Sequence, residues 1–418
     1  MAKSYNEKLN SFIDQINFSS ITKDEKKFIL NQASEYWFSF ADINNLIKIS
    51  IDLNMWGEKS LQEIQPKYLK SKNKKEQKKE LIAYITNIWE NLKTTNNDYK
   101  NFKSSSNKEK ITLKIEEKQD LGLGACPVAS FKTRCCNLLT LDAVESCGFD
   151  CSYCSIQSFY NQNRVSIDSK LGEKLKNLKL DPKKTYHIGT GQSSDSLLWG
   201  NKGGVLDALK DFAIKNPNVI LELKTKSNNI KYLLENDIPK NIICTFSIST
   251  HTIHQNEEHK TASIDERIQA ARNLANKGIK VGFHFHPIVV YDTYLADYQE
   301  VIHNITKQFN ANEVALISLG TLTFTKSVMK QIRERGEKTK ILQMPFAQIA
   351  GKYSYPLETK IEMFKNVYDA FASYHEKVFF YLCMEDHSLW SEVFEYEYKS
   401  NEEFEQAMKK SYFDKIAQ

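Results

Sequence analysis

Apolar positions in the first hundred residues recur at helical spacing. Phe28, Ile29 and Leu30, then Ala33, Trp37 and Phe40, recur at helical spacing. Leu81, Ile82, Tyr84, Ile85, Ile88 and Trp89 predict a second helical stretch. Between them lies a basic run with Lys67, Lys70, Lys72, Lys74, Lys75, Lys78 and Lys79. Two readings stand for it: a solvated helix face or loop, and a phosphate-contacting surface. The Ser/Asn/Lys-rich piece 103–110 reads as a linker.

From Cys135 onward the pattern changes. Short β-rich runs at 137–144, 185–189, 219–225, 242–248, 280–290 and 313–319 alternate with amphipathic helices. The helices fall at 203–215, 230–235, 265–277 and 294–309, and Gly278 stands where a helix should stop. This alternation predicts an α/β fold of βαβ units on a parallel sheet. About six units are too few for a closed eight-unit barrel, so a partial (β/α)6 barrel is expected. A helix at 357–374 and a strand at 378–383 follow. The expected division is a helical region 1–110, a barrel core 111–340 and a C-terminal helix–strand extension 341–418.

Composition adds limits. Hydrophobic residues at 41% and charged residues at 26% suit a chain that buries a core. No apolar stretch is long enough to span a bilayer, and residues 1–10 lack the apolar run of a signal peptide, so a cytoplasmic protein is expected. A net charge of +5 permits a polyanionic partner without demanding one. Eight cysteines in such a chain point away from a disulfide framework.

The strongest chemical signal is Cys147-Gly-Phe-Asp-Cys151-Ser-Tyr-Cys154, directly after the first strand of the α/β region. Three thiolates on one short loop can hold three irons of a [4Fe–4S] cubane and leave the fourth iron open. Gly148 lets the loop bend between ligands. A zinc site normally uses four ligands in paired spacing, and no matching second pair follows nearby. A redox C-x-x-C would leave Cys147 unexplained.

The C-x3-C-x-aromatic-C pattern after strand one resembles the radical S-adenosylmethionine (SAM) superfamily. Downstream segments resemble its spore photoproduct lyase branch: Ser193-Ser194-Asp195, Lys224-Thr225-Lys226, Phe246-Ser247-Ile248-Ser249, Ile264-Asp265-Glu266-Arg267-Ile268, and Gly282-Phe283 running to Pro287-Ile288. The resemblance covers roughly residues 135–324. It implies that Cys147, Cys151 and Cys154 bind the cluster and that the open iron chelates SAM. It implies reductive cleavage to a 5′-deoxyadenosyl radical, which abstracts hydrogen from a pyrimidine lesion in DNA. Tyr153 would pack near the adenine, and Ser194, Asp195, Lys226 and Ser247 would line the SAM site. An electron donor of the flavodoxin or ferredoxin type is implied as well.

Two positions depart from the family pattern. A cysteine that donates a hydrogen atom stands in the family where this chain has Gln192, and a tyrosine stands where it has Ser155. An amide is a poor hydrogen-atom donor. Three functions therefore compete: action on a DNA lesion, radical chemistry on RNA or a small molecule, and a non-catalytic zinc or Fe–S nucleic-acid-binding protein.

Other groups are candidates on their own spacing. His284 and His286 alternate on one strand and so point the same way, with Phe283 and Phe285 on the opposite face. Aromatics suit the helix-packed outside, which puts the histidines inside the barrel. Cys383 ends the last strand as a replacement donor thiol or a small core residue. Cys126, Cys135 and Cys136 precede the first strand and lack an obvious fourth partner for a second cluster. Cys244 alternates away from Ser247 and faces outward. His251, His254 and His259 fall in the loop after strand four, as a solvated loop or a metal triad.

Overall fold

The computed structural model describes residues 5–16, 18–95, 97–107, 110–126, 132–156, 163–349 and 351–418. Lys108 and Glu109 of the expected linker, and the first four residues of the chain, lie outside these. Two compact units emerge: Met1–Asn107 with Thr325–Pro345, and Lys108–Phe324 with Phe346–Gln418. Among the described residues no helix is long and apolar enough to cross a membrane.

The first unit is helical, with α1 (Tyr5–Gln15), α2 (Lys23–Tyr36), α3 (Phe40–Trp56) and α4 (Lys74–Thr94). Thr22 with Glu25 and Ser39 with Asp42 form reciprocal capping boxes that start α2 and α3. Buried Asp52 of α3 accepts from Trp89 Nε1 at 3.1 Å and from Arg333 Nε at 2.6 Å. That joins α3 to α4 and to a later helix at Lys326–Glu334. The basic run divides: Lys74, Lys75, Lys78 and Lys79 open α4, and Lys78 pairs with Asp42 at 2.5 Å.

The second unit is built on one sheet of eight strands. They are β1 (Leu123–Ala125), β2 (Leu139–Leu141), β3 (Tyr186–Thr190), β4 (Val219–Thr225), β5 (Ile242–Ser247), β6 (Val281–Ile288), β7 (Val314–Thr321) and β8 (Phe379–Leu382). Spatial order follows chain order. All neighbouring pairs are parallel except the β1–β2 edge. The sheet curls into a partial barrel. Helices α5 (Val205–Lys215), α6 (Ile264–Asn276), α7 (Tyr294–Gln308), α8 (Leu357–Ala370) and α9 (Asn401–Ala417) follow strands in the manner of βαβ units. β4, β5 and β7 are buried nearly throughout, as sheet strands covered on both faces should be. The strand of the C-terminal segment extends this sheet as β8, parallel to β7.

The faces of β6 fall as alternation predicts. Phe283 packs edge-on to Phe309, with centroids 5.3 Å apart, and Phe285 packs on Phe371 at 5.7 Å. His284 points inward to a polar belt across the barrel. Glu222 of β4 accepts from His284 Nε2 at 2.6 Å, His187 Nε2 at 2.8 Å and Thr245 Oγ1 at 2.6 Å. His284 Nδ1 takes the hydroxyl of Ser318, a set of bonds that assigns Nε2–H as the tautomer. Cys244 is buried on the other face of β5.

Candidate functional site

The cysteine loop leaves β2 through a short strand, Val144–Glu145, and carries another at Asp150–Cys151. The second pairs antiparallel with Glu258–His259, placing Cys151 opposite Glu258. Ser152 N–H donates to Glu257 O at 2.9 Å, and the Ser152 hydroxyl bonds the Glu257 carboxylate. Cys154 N–H donates to Cys151 O at 3.1 Å, closing the turn between those two ligands. Cys151 is buried, while Cys147 and Cys154 are part-buried. Burial pushes the Cys151 thiol well up; Lys226 works against this, and the neighbouring Cys154 and Cys147 add to it. Cys147 and Cys154 thus lie near enough to Cys151 to act on its charge. A Cβ on Gly148 would come within 2.4 Å of Leu198 Cδ2 and 3.0 Å of Trp199, so the loop lies against that wall where only glycine fits easily.

The loop's anchor is a buried ion network. Glu258 accepts from Arg267 Nη2 at 2.7 Å, from Lys226 Nζ at 3.1 Å and from the Tyr153 hydroxyl. Desolvation would raise the Glu258 carboxyl, but Arg267 and Lys226 overcome it and hold it well below the usual carboxylate range. Arg267 also donates to Ser247 O at 2.9 Å and Ala262 O at 2.8 Å. Lys226 Nζ stands 5.7 Å from the centre of the Tyr153 ring. Tyr153, Lys226 and Ser247 are thus brought together beside the cysteines by Glu258 and Arg267.

Asp195 has a different place from a ligand-facing carboxylate. It is buried and accepts backbone N–H from Leu197 at 3.0 Å, Leu198 at 2.8 Å and Lys226 at 2.6 Å, and the Thr225 hydroxyl at 2.8 Å. Burial raises its carboxyl, with these four bonds opposing. Its visible work is to hold the C-terminal ends of β3 and β4 in register. Between them Gly191 has φ +86°, and a Cβ there would meet Lys224 O at 2.5 Å. By contrast, Ser194 Oγ and Gln192 Oε1 are buried with no hydrogen-bond partner among the described residues. The Gln192 side chain folds back over β3, where a Cβ on Gly189 would meet its Nε2 at 2.5 Å. Orphaned polar atoms on a strand-end loop fit a bound polar ligand.

Of the remaining candidates, Cys383 lies near Cys126, Cys135 and Cys136. Cys383 N–H donates to Leu319 O at 2.7 Å just past β8, and burial pushes its thiol up to about 12. Cys135 and Cys136 hydrogen-bond one another. His251 and His254 lie on a short helix, His251–Glu257, and His259 on the strand that follows it. Among the described residues no three His, Cys, Asp or Glu side chains converge as ligands of one metal ion. A cubane instead takes one thiolate per iron. Sequence reasoning missed Glu257 and Glu258. Arg267 falls within the family-like stretch 264–268, yet its role needed the fold.

Comparison with known proteins decides the family. The profile described as "Spore photoproduct lyase" matches residues 64–377. The chain belongs to the spore photoproduct lyase family. It is a radical SAM enzyme by that membership. A spore photoproduct lyase of Clostridium acetobutylicum is 27% identical over 262 residues, 59% of this chain and 74% of that one. One of a Geobacillus species is 28% identical over 123 residues, 29% of this chain and 36% of its own. A solved spore photoproduct lyase complexed with dinucleoside spore photoproduct shares the fold, with TM-score 0.53, 17% identity, and 65% and 82% of the two chains covered. A double mutant with bound AdoMet and the same dinucleoside aligns at TM-score 0.51 and 17% identity, covering 81% of this chain and 94% of that one.

Proposed function

We propose that the chain binds a [4Fe–4S] cluster through Cys147, Cys151 and Cys154, cleaves SAM reductively there, and acts on a cross-linked pyrimidine lesion in DNA. The observation that carries this reading is the docking of a three-cysteine loop, through Glu258 and Arg267, beside the strand ends that bear Ser194, Lys226 and Ser247. When bound, the cluster supplies the electron that breaks the sulfonium and releases a 5′-deoxyadenosyl radical. The chain's own residues bind and orient. Ser194 and Lys226 offer a hydroxyl and an ammonium to the amino-acid end of SAM. Tyr153 and Ser247 form the adjoining wall, and Asp195 fixes the backbone of Lys226. The basic run at the start of α4 gives the helical unit a phosphate-facing surface. A flavodoxin- or ferredoxin-type protein supplies the electron, and the site works in the cytoplasm.

Gln192 favours a second reading, radical chemistry on another substrate such as RNA. Its amide oxygen, buried and without a partner among the described residues, stands where the family pattern has a thiol. One experiment separates the two. Irradiated DNA and irradiated RNA are incubated with reduced enzyme and SAM, and the products are followed by mass spectrometry, with deuterium transfer into 5′-deoxyadenosine. Loss of the lesion from DNA, with 5′-deoxyadenosine formed, supports the first reading. 5′-Deoxyadenosine formed only with RNA contradicts it.

A further inference from the structure

Two residues past the polar belt, the inner face of the barrel changes character. Lys224 follows Glu222 on the same face of β4, and its register partner on β5 is Thr245, whose hydroxyl bonds Glu222. His286 follows His284 on β6. Its ring lies flat over β7, where a Cβ on Gly320 would meet ring atoms at 2.7–2.9 Å. Ser318 pairs with Tyr381, so Gly320 stands beside Cys383 of the next strand. Lys224, His286 and Cys383 therefore line the mouth of the barrel on its C-terminal side, where α/β ligand sites lie.

Lys224 is half-buried there, and with His286 it makes no hydrogen bond or ion pair to any described residue. The anions within reach are already engaged. Both oxygens of Glu222 are held by His187, His284 and Thr245. Glu385 is paired with Lys360 at 2.6 Å, and Glu258 with Lys226 and Arg267. Burial keeps the Cys383 thiol protonated, so it offers no counter-charge. Burial lowers Lys224, and burial with Lys224 nearby lowers His286, as expected for an ammonium and a neutral imidazole sharing a confined space. A part-buried cation without a partner is destabilising unless a ligand anion completes it.

We propose that Lys224 and His286 form the anion-recognition point of the substrate pocket, and that the anion is the phosphodiester joining the two nucleosides of a lesion. This rests on the DNA-lesion reading above. The ammonium gives a point charge to one phosphate oxygen, and the imidazole N–H gives a directed hydrogen bond to another. Gly320 sets the height of the imidazole.

The test uses cluster-loaded enzyme without reductant and two probes: a thymine photoproduct dinucleotide with its phosphodiester, and the dinucleoside lacking it. Wild-type protein is expected to bind the dinucleotide more tightly. Lys224→Met and Gly320→Ala are each expected to weaken dinucleotide binding by about 10- to 100-fold and to leave SAM affinity within about twofold. Lys224→Met should also raise the melting temperature of ligand-free protein, since it removes an unpaired cation. Equal wild-type affinity for the two probes, equal loss of both in the variants, or a loss of SAM affinity instead would each overturn the assignment. If neither probe binds the wild-type protein, the DNA-lesion reading itself falls.

Discussion

Arg267 and Glu258 are both completely buried and meet at 2.7 Å, joining α6 to the strand on which the cysteine loop rests. The pair fixes the strand Glu258–His259, against which the cysteine loop is laid. Removing Arg267 would leave Lys226 as the carboxylate's one remaining cation, and breaking a buried pair typically destabilises by about 3–5 kcal/mol. Arg267→Met is expected to lower stability in denaturant titration by that order and to reduce iron content after reconstitution. Full iron loading with unchanged stability would show that the seat does not depend on this pair.

Asp195→Asn keeps the shape but replaces one acceptor oxygen with an N–H donor. That donor must face either the Lys226 N–H or the group of donors from Leu197, Leu198 and Thr225. The expected loss is about 1–3 kcal/mol in stability. SAM affinity should fall with it, since the backbone of Lys226 loses its fixed position. Isothermal titration with SAM checks this, and unaltered affinity would count against a positioning role.

Gly191→Ala is a sharper lesion. The residue sits at φ +86°, and the new methyl would meet Lys224 O at 2.5 Å. Strain and contact act together, so the β3–β4 loop should open. The variant is expected to lose SAM binding while far-UV circular dichroism stays near wild type. SAM binding at wild-type affinity would contradict that expectation.

The polar belt gives a pH dependence. Burial, with Lys224 nearby, holds His284 down to about 4, although Glu222 pulls the other way. An unfolded histidine titrates near 6.5. The unfolded chain therefore takes up the proton first, and stability falls as pH drops from about 6.5 toward 4. Glu222 and Glu258 are depressed carboxylates, so their contribution holds above the usual carboxylate range, near 4.3, and is lost below it. Denaturant titrations at stepped pH should show stability level above pH 7 and declining from about 6.5. His284→Gln should flatten the upper part of that decline.

Much of the barrel was legible because its strands are short apolar runs between amphipathic helices. The inward histidines could be read from alternation alone, because Phe283 and Phe285 had to face the helices. What lay hidden depended on distant pairing. Nothing local says that Glu258 is buried, because its partners Arg267 and Lys226 arrive from other elements. A segment with three histidines and two glutamates reads as solvated, yet it forms a helix and the strand that seats the cysteine loop. The strand-end place of Asp195 could be read, but the bonds of its carboxylate to three backbone N–H groups and the Thr225 hydroxyl could not. The strand at Phe379–Leu382 looked like an appendage because edge pairing to β7 leaves no mark in its own sequence.

The most direct test of the central claim is anaerobic reconstitution followed by reduction in the presence of SAM. About four irons and four sulfides per chain are expected, with 5′-deoxyadenosine released by the wild type. Replacing Cys147, Cys151 and Cys154 together by alanine should abolish both. Bound zinc without labile sulfide, or 5′-deoxyadenosine formed equally by the triple variant, would contradict the account.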